Sequence, residues 1–203
     1  KVAINTDIIF TIVGFPADVE EVYFGENGIF NGIREGMILI DMTTSYPELA
    51  IKIYETAKNC NAYALDAPVS GGDMGAKNAT LSIMVGGDRD VYENVMPLFE
   101  LMGKNIVYHG KAGNGQYAKL TNQILIANNM IGVCECLVFA EKAGLDLNLI
   151  IKSLASGAAS SWSLVNLGPK IITNDMNPGF YIEHFIKDLE IATTTCEKMG
   201  IKL

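Results

Sequence analysis

Cysteine is scarce in this chain of 203 residues: four occur, at positions 60, 134, 136 and 196. So few in so long a chain argue against a disulfide framework. Cys134 and Cys136 stand two apart in a stretch of helical character. They point to different faces, which suits core packing better than metal or redox chemistry. A reducing, cytoplasmic compartment is the expectation. Histidine is scarcer still, and His109 and His184 have no partner at metal-ligand spacing, so both read as structural and no metal is expected. Positive charge is also short: 15 Lys and Arg face 23 Asp and Glu, for a net charge of −8. With no basic run, neither a nucleic-acid surface nor an anionic membrane is expected as a partner. No signal peptide and no uninterrupted apolar run of membrane length is visible. The most apolar stretch, 124–140, is broken by Asn128, Asn129 and Glu135 and reads as a buried helix. Nucleophile elbow, phosphate-binding loop, zinc signature, repeats and low-complexity segments are absent too.

Apolar side chains are abundant, at 49% of residues, enough to bury the core of one large domain or two small ones. The chain opens at Lys1, almost at once inside a strand, and closes at Leu203 just after a helix, so both ends are expected to be cut.

Residues 7–13, 37–43, 62–69, 81–85 and 106–109 are short apolar runs that predict strands. Helical spacing falls between them, at 18–24, 47–59 and 92–102. Strands apolar on both faces and alternating with helices predict an α/β fold with a doubly wound parallel sheet. Ligands of such sheets bind outside the carboxyl ends of the strands, where Val13-Gly14, Thr43-Thr44 and Ser70-Gly71-Gly72 fall. From Gln116 to Ala143 only Gly132 interrupts a helix about 40 Å long, apolar nearly all round and therefore expected to be covered on several sides. Gly144 is a natural stop, and 146–155, with Asp146 as N-cap, 160–173 and 183–199 complete an all-helical region. The expected division is a sheet domain over 1–112 and an all-α domain over 113–203.

Two segments carry most of the chemistry. Asp66-Ala67-Pro68-Val69-Ser70-Gly71-Gly72 ends an apolar strand with a hydroxyl and two positions without side chains. Backbone N–H groups there suit a carboxylate or phosphate, or merely form a strand-exit turn. Gly113-Asn114-Gly115-Gln116-Tyr117-Ala118-Lys119-Leu120-Thr121-Asn122-Gln123 places Lys119 one turn inside the long helix, with Asn122 and Gln123 on the same face. Apolar neighbours Leu120, Ile124, Leu125 and Ile126 predict partial burial of the ammonium. Burial and the positive helix N-terminus both lower a lysine pKa, which opens proton exchange near neutrality. A structural lysine fits the spacing as well. Lys187-Asp188 reads either as a solvated charge pair or as part of a site.

These residues resemble the β-hydroxyacid dehydrogenase family, that of 3-hydroxyisobutyrate dehydrogenase, tartronate semialdehyde reductase and glyoxylate or succinic semialdehyde reductases. The first of the two segments, then Ala79-Thr80-Leu81-Ser82-Ile83-Met84-Val85-Gly86-Gly87-Asp88, the second segment, and Phe180 followed by Lys187 and Asp188 arrive in the family's order over essentially the whole chain. The resemblance implies a Rossmann-type domain for NAD or NADP, then an all-α domain entered through the long helix. It implies hydride transfer between that cofactor and a small 3-hydroxy acid or semialdehyde, in a homo-oligomer, dimer or tetramer. By residue, it implies Lys119 as general acid/base and Ser70, Gly71 and Gly72 at the substrate carboxylate, with Asn122 and Gln123 lining the pocket. Thr44, Lys187 and Asp188 fall at cofactor-contacting positions.

The chain departs from the family in three respects. The glycine fingerprint of the first β-α-β unit does not occur in it, and neither do the family's last helices. Val13-Gly14 stands where Leu-Pro is usual in the cofactor-facing loop, and Gln123 stands where many members have Asn. A decarboxylating 6-phosphogluconate dehydrogenase would carry His-Asn after the lysine, and imine reductases usually replace the lysine. A non-catalytic module of the same fold would have lost it.

Overall fold

A computed structural model describes residues 2–203. It opens with β1 (Ile8–Thr11), α1 (Pro16–Phe24), β2 (Ile38–Asp41), α2 (Pro47–Asn59) and β3 (Tyr63–Asp66). These three strands pair in parallel, in the register Phe10 with Ile40 and Ile40 with Leu65. Strand alternation explains the burial of β2 on both faces. Leu39 packs with Ile9, with Val19 and Tyr23 of α1, and with Ile53 and Ala57 of α2. Ile38 and Ile40 enter a second core on the opposite face, with Leu65, Ile83 and Val85. That core is closed by Val91, Tyr92, Val95 and Phe99 of α4 (Arg89–Phe99).

The chain then departs from a purely parallel sheet. The expected strand 62–69 is two strands: β3, and β4 (Val69–Ser70), separated at Ala67-Pro68. Proline has no N–H to continue a ladder. Its carbonyl instead accepts Met84 N–H at 3.0 Å from β5 (Leu81–Gly87). A short helix absent from the sequence reading, α3 (Gly72–Lys77), links β4 to β5. β5 runs antiparallel to both β3 and β4, whereas β6 (Gly103–Tyr108) is parallel to β5. The strand order is therefore β1-β2-β3-β5-β4, with β6 on β5. The architecture remains a Rossmann-like α/β layer with a parallel β1-β2-β3 core. The antiparallel joint with β3 is made through Gly86 and Gly87. Gly87 has φ +133°, and a β-carbon there would lie 2.5 Å from Leu65 Cδ2 and 2.9 Å from Ala64 O.

From here the chain is helical: α5 (Asn114–Lys142), α6 (Leu147–Leu154), α7 (Trp162–Asn166), α8 (Gly168–Ile172) and α9 (Ile182–Lys198). It divides into two compact units, one of residues 1–121 with 179–203 and one of 122–178. This differs from a boundary at 112/113, because α9, although last in sequence, packs with the sheet. In the second unit Val133 and Leu137 of α5 meet Leu164, Leu147, Ile151, Leu154, Ile171 and Ile172. Asp146 caps α6 through Asn148 N–H and Leu149 N–H, as its position predicts. The expected cover of α5 on several sides is not found. The short helices α6 to α8 reach one stripe, and Leu125, Ile131, Val138 and Phe139 are exposed. Among the described residues α5 is also the one helix long and apolar enough to cross a membrane. Length and composition alone do not separate a span from a domain helix.

Gly87→Ala is expected to destabilise the sheet unit by about 1–3 kcal/mol, because the added methyl meets backbone and a packed Leu65 with no room to yield. A lowered denaturant midpoint at unchanged slope is the measurement.

Candidate active site

The carboxyl ends of the strands organise the site through buried polar side chains. Asp41 closes β2 and Asp66 closes β3, paired in register. Both are buried. A carboxylate out of water needs its oxygens occupied. Asp41 Oδ1 accepts Thr43 N–H and the Thr11 hydroxyl, each at 3.1 Å. The Thr43 hydroxyl in turn accepts Val13 N–H at 2.9 Å, which fixes the loop after β1. Burial first, then the neighbouring Asp66, push the Asp41 carboxyl up to about 6, against the hydrogen bonds from Thr43 and Thr11.

Asp66 serves the long helix. Its Oδ1 accepts Gly113 N–H at 2.8 Å and its Oδ2 accepts Gln116 N–H at 2.9 Å. These are amide groups at the start of α5, whose donors have no partner inside the helix. Burial pushes the Asp66 carboxyl up, opposed by these N–H bonds. One turn on is Lys119, 6% exposed. Burial lowers its pKa to about 8, Asp188 pulls it back up, and Lys187 lowers it further.

Lys187 and Asp188 are not the solvated pair that one reading of the sequence allows. Both are buried on α9. Lys187 Nζ lies 2.9 Å from Asp188 Oδ1 and donates to Thr44 O, also at 2.9 Å. Lys119, Lys187, Asp188 and Thr44 thus form one cluster. The other predicted rim residues meet the segment leading into α9. A β-carbon on Gly72 would lie 3.4 Å from Gly179 O, and one on Gly14 would lie 3.4 Å from His184 Cε1. The His184 ring also packs 5.4 Å from that of Phe15. Residues 179–188 therefore touch the loops after β1, β2 and β4. Ser70 is half-buried, Gly71 and Gly72 are exposed, and both glycines have positive φ, +133° and +62°. Asn122 and Gln123 fall in the second compact unit, where Asn122 Nδ2 donates to Gln123 Oε1 at 2.7 Å.

The residues of the strand edge fit the nicotinamide half of a dinucleotide. The loop after β1 exposes apolar Ile12 and Phe15. Near it stand Thr44 and the Lys187 ammonium bonded to its carbonyl, and the Ser45 hydroxyl is buried with no partner among the described residues. An apolar face flanked by polar groups matches an amphipathic ring carrying a carboxamide. The fold defines a Rossmann-like class of α/β protein.

Comparison with known proteins narrows the class. Residues 1–110 match the family model for the NAD binding domain of 6-phosphogluconate dehydrogenase. Residues 113–203 match that for the NAD-binding domain of NADP-dependent 3-hydroxyisobutyrate dehydrogenase. An uncharacterised oxidoreductase of Bacillus subtilis, YkwC, is 57% identical over 97% of this chain and 68% of its own length. The 2-hydroxy-3-oxopropionate reductase of Escherichia coli is 43% identical over 98% of this chain and 68% of its own. A 3-hydroxyisobutyrate dehydrogenase of Mycobacterium tuberculosis, solved with L-serine, superposes with a TM-score of 0.89 at 29% identity, over 99% of this chain and 70% of that one. The chain belongs to the β-hydroxyacid dehydrogenase family, and its cofactor class is NAD or NADP. It spans about two thirds of the length of the curated relatives it matches.

Gln116, Asp66 and Asp41 are site residues that sequence reasoning missed. The signal for them was polarity itself: an aspartate ends each of two apolar strands, and a glutamine stands three residues before the lysine. The electrostatics of the cluster give a signed expectation. Asp188→Asn lowers the titration midpoint of Lys119, and Lys187→Met raises it, as read by NMR of the labelled lysine side chains.

Proposed function

We propose that this chain carries the reaction centre of an NAD(P)-dependent dehydrogenase that interconverts a small 3-hydroxy acid and its semialdehyde. The supporting observation is the buried ammonium of Lys119, its pKa brought down to about 8 by lost hydration and held there between Asp188 and Lys187. A group that titrates near working pH can give and take a proton without a large driving-force penalty.

The nicotinamide ring, when bound, supplies or accepts the hydride. Val13, Gly14, Thr44, Lys187 and Asp188 are the residues we assign to holding it. Thr44 and Lys187 present a hydroxyl and an ammonium, and Val13-Gly14 leaves the loop after β1 without bulk at its glycine. Ser70, Gly71 and Gly72 receive the substrate carboxylate, supported by two successive positive-φ glycines at an exposed strand exit. Asn122 and Gln123, one turn beyond the lysine on the same helix, line the pocket. In the reducing direction protonated Lys119 donates to the oxygen that becomes the alcohol, and in the oxidising direction neutral Lys119 removes that proton. Retention of Lys119 favours this reading over an imine reductase or a non-catalytic module. Asn122-Gln123 in place of His-Asn disfavours a decarboxylating 6-phosphogluconate dehydrogenase. Cytoplasmic residence and self-assembly into dimers or tetramers complete the proposal.

The direction of the pH dependence follows. In reduction kcat/KM falls as pH rises through about 8, and in oxidation it rises through the same value. Lys119→Ala removes both limbs and costs about 10²–10⁴-fold in turnover of a semialdehyde panel with NADH and NADPH. Unchanged turnover rejects the role. Stability moves the other way. A lysine whose folded pKa lies below its unfolded one weakens the fold at low pH, and that penalty fades only as pH rises above about 8. Lys119→Met is therefore expected to melt at higher temperature than the parent at pH 7, with the gap closing towards pH 10.

A further inference from the structure

Gln116 is fully buried, at 0% exposure. Both ends of the amide are committed to one loop. Its Oε1 accepts Ser45 N–H at 2.9 Å, and its Nε2 donates to Thr43 O at 2.7 Å. Its own backbone N–H is held by Asp66 Oδ2. The seat is built closely. A β-carbon on Gly115 would lie 2.4 Å from Met84 O and 2.8 Å from Asp66 Oδ2, so only glycine lets the first turn of α5 come down onto the strand ends.

The loop so gripped, 43–45, is the one that matters for the cofactor edge. The Thr43 hydroxyl holds Val13 N–H, and Thr44 O receives Lys187. Three residues along the helix from Gln116 is Lys119, on the next turn of the same face. We infer that Gln116 is a positioning residue: it clamps the 43–45 loop to the helical turn that carries Lys119, so that Thr44, assigned above to the cofactor, and the acid/base ammonium hold a fixed mutual geometry.

The proposal rests on Lys119 acting in catalysis, but it is read independently of activity. A buried amide with both partners on one loop carries more than packing. Replacing it by an apolar chain of equal length keeps the volume and strands Ser45 N–H and Thr43 O. Displacements of about 1 Å in a reaction geometry cost on the order of 10²-fold in rate.

Amide hydrogen exchange followed by NMR on the unsubstituted chain supplies the first measurement. Under low denaturant, Ser45 and Gln116 amides are expected to open as one unit, with equal protection. Protection of Gln116 at least about tenfold above Ser45 overturns the clamp. Gln116→Met supplies the second. Exchange at Ser45 is expected to quicken at least tenfold while the amides of β1, β2 and β3 keep their protection. The Lys119 side-chain midpoint is expected to rise towards the ordinary lysine value as water reaches it, and turnover to fall about 10- to 100-fold. A faster Ser45 with Lys119 midpoint and turnover both unmoved overturns the inference. If Gln116→Met does not fold, the exchange comparison on the parent decides. Should Lys119→Ala retain full turnover, the catalytic reading fails while the clamp is still judged by exchange and by the Lys119 midpoint.

Discussion

The carboxylate of Asp66 is the tie on which the site depends. It ends a parallel strand and receives two amide hydrogens from the start of a 29-residue helix. Those donors would otherwise be orphaned, and the carboxylate would otherwise be a bare charge out of water. Each need cancels the other. The first turn of the helix is thereby tied to the sheet edge, and the ammonium one turn along comes under the charges of α9. Asp41, one strand over, does the same for the loops after β1 and β2. The layer beneath the chemistry is therefore made of charges and amides, while the sheet around it is hydrocarbon.

That layer also accounts for the electrostatic balance above it. Lys119 has lost most of its hydration, and one carboxylate and one ammonium act on it in opposite senses. Burial sets the lowered value, and the two partners trim it in opposite directions. With Asp188 alone the charged form would be favoured, and with Lys187 alone it would be driven further down. The buried pair on α9 therefore acts on the lysine, and Lys187 also ties α9 to the loop after β2 through Thr44 O.

Local order was readable from the residues. Apolar runs marked β1, β2 and β5, Asp146 marked a cap, and the hydrocarbon around Lys119 marked its burial before any coordinates. Strand direction was not readable, because Leu81–Gly87 would look the same running either way. Only Gly86-Gly87 hinted at the close antiparallel joint, and Pro68 at the break between β3 and β4. From local spacing Lys187 and Asp188 could be a solvated pair or part of a site, because their burial comes from α9 lying in the same unit as the sheet. Gln116 and Asp66 stayed silent for a related reason. A polar residue declares itself only when its partners are known, and theirs lie 47 to 73 positions away in sequence. The division at 112/113 follows sequence character, whereas the contacts draw residues 179–203 into the sheet unit.

The bond from Lys187 to Thr44 spans 143 residues. Chains emerge from the ribosome at about 5–20 residues per second, and early segments begin to fold as they appear. Thr44 would leave the tunnel many seconds before its partner. In the later part of that interval the strands and Lys119 are out, but the lysine has no neighbours from α9. Order of synthesis thus brings Lys187 and Asp188 to the cluster only after the strands of the sheet and Lys119 have already emerged.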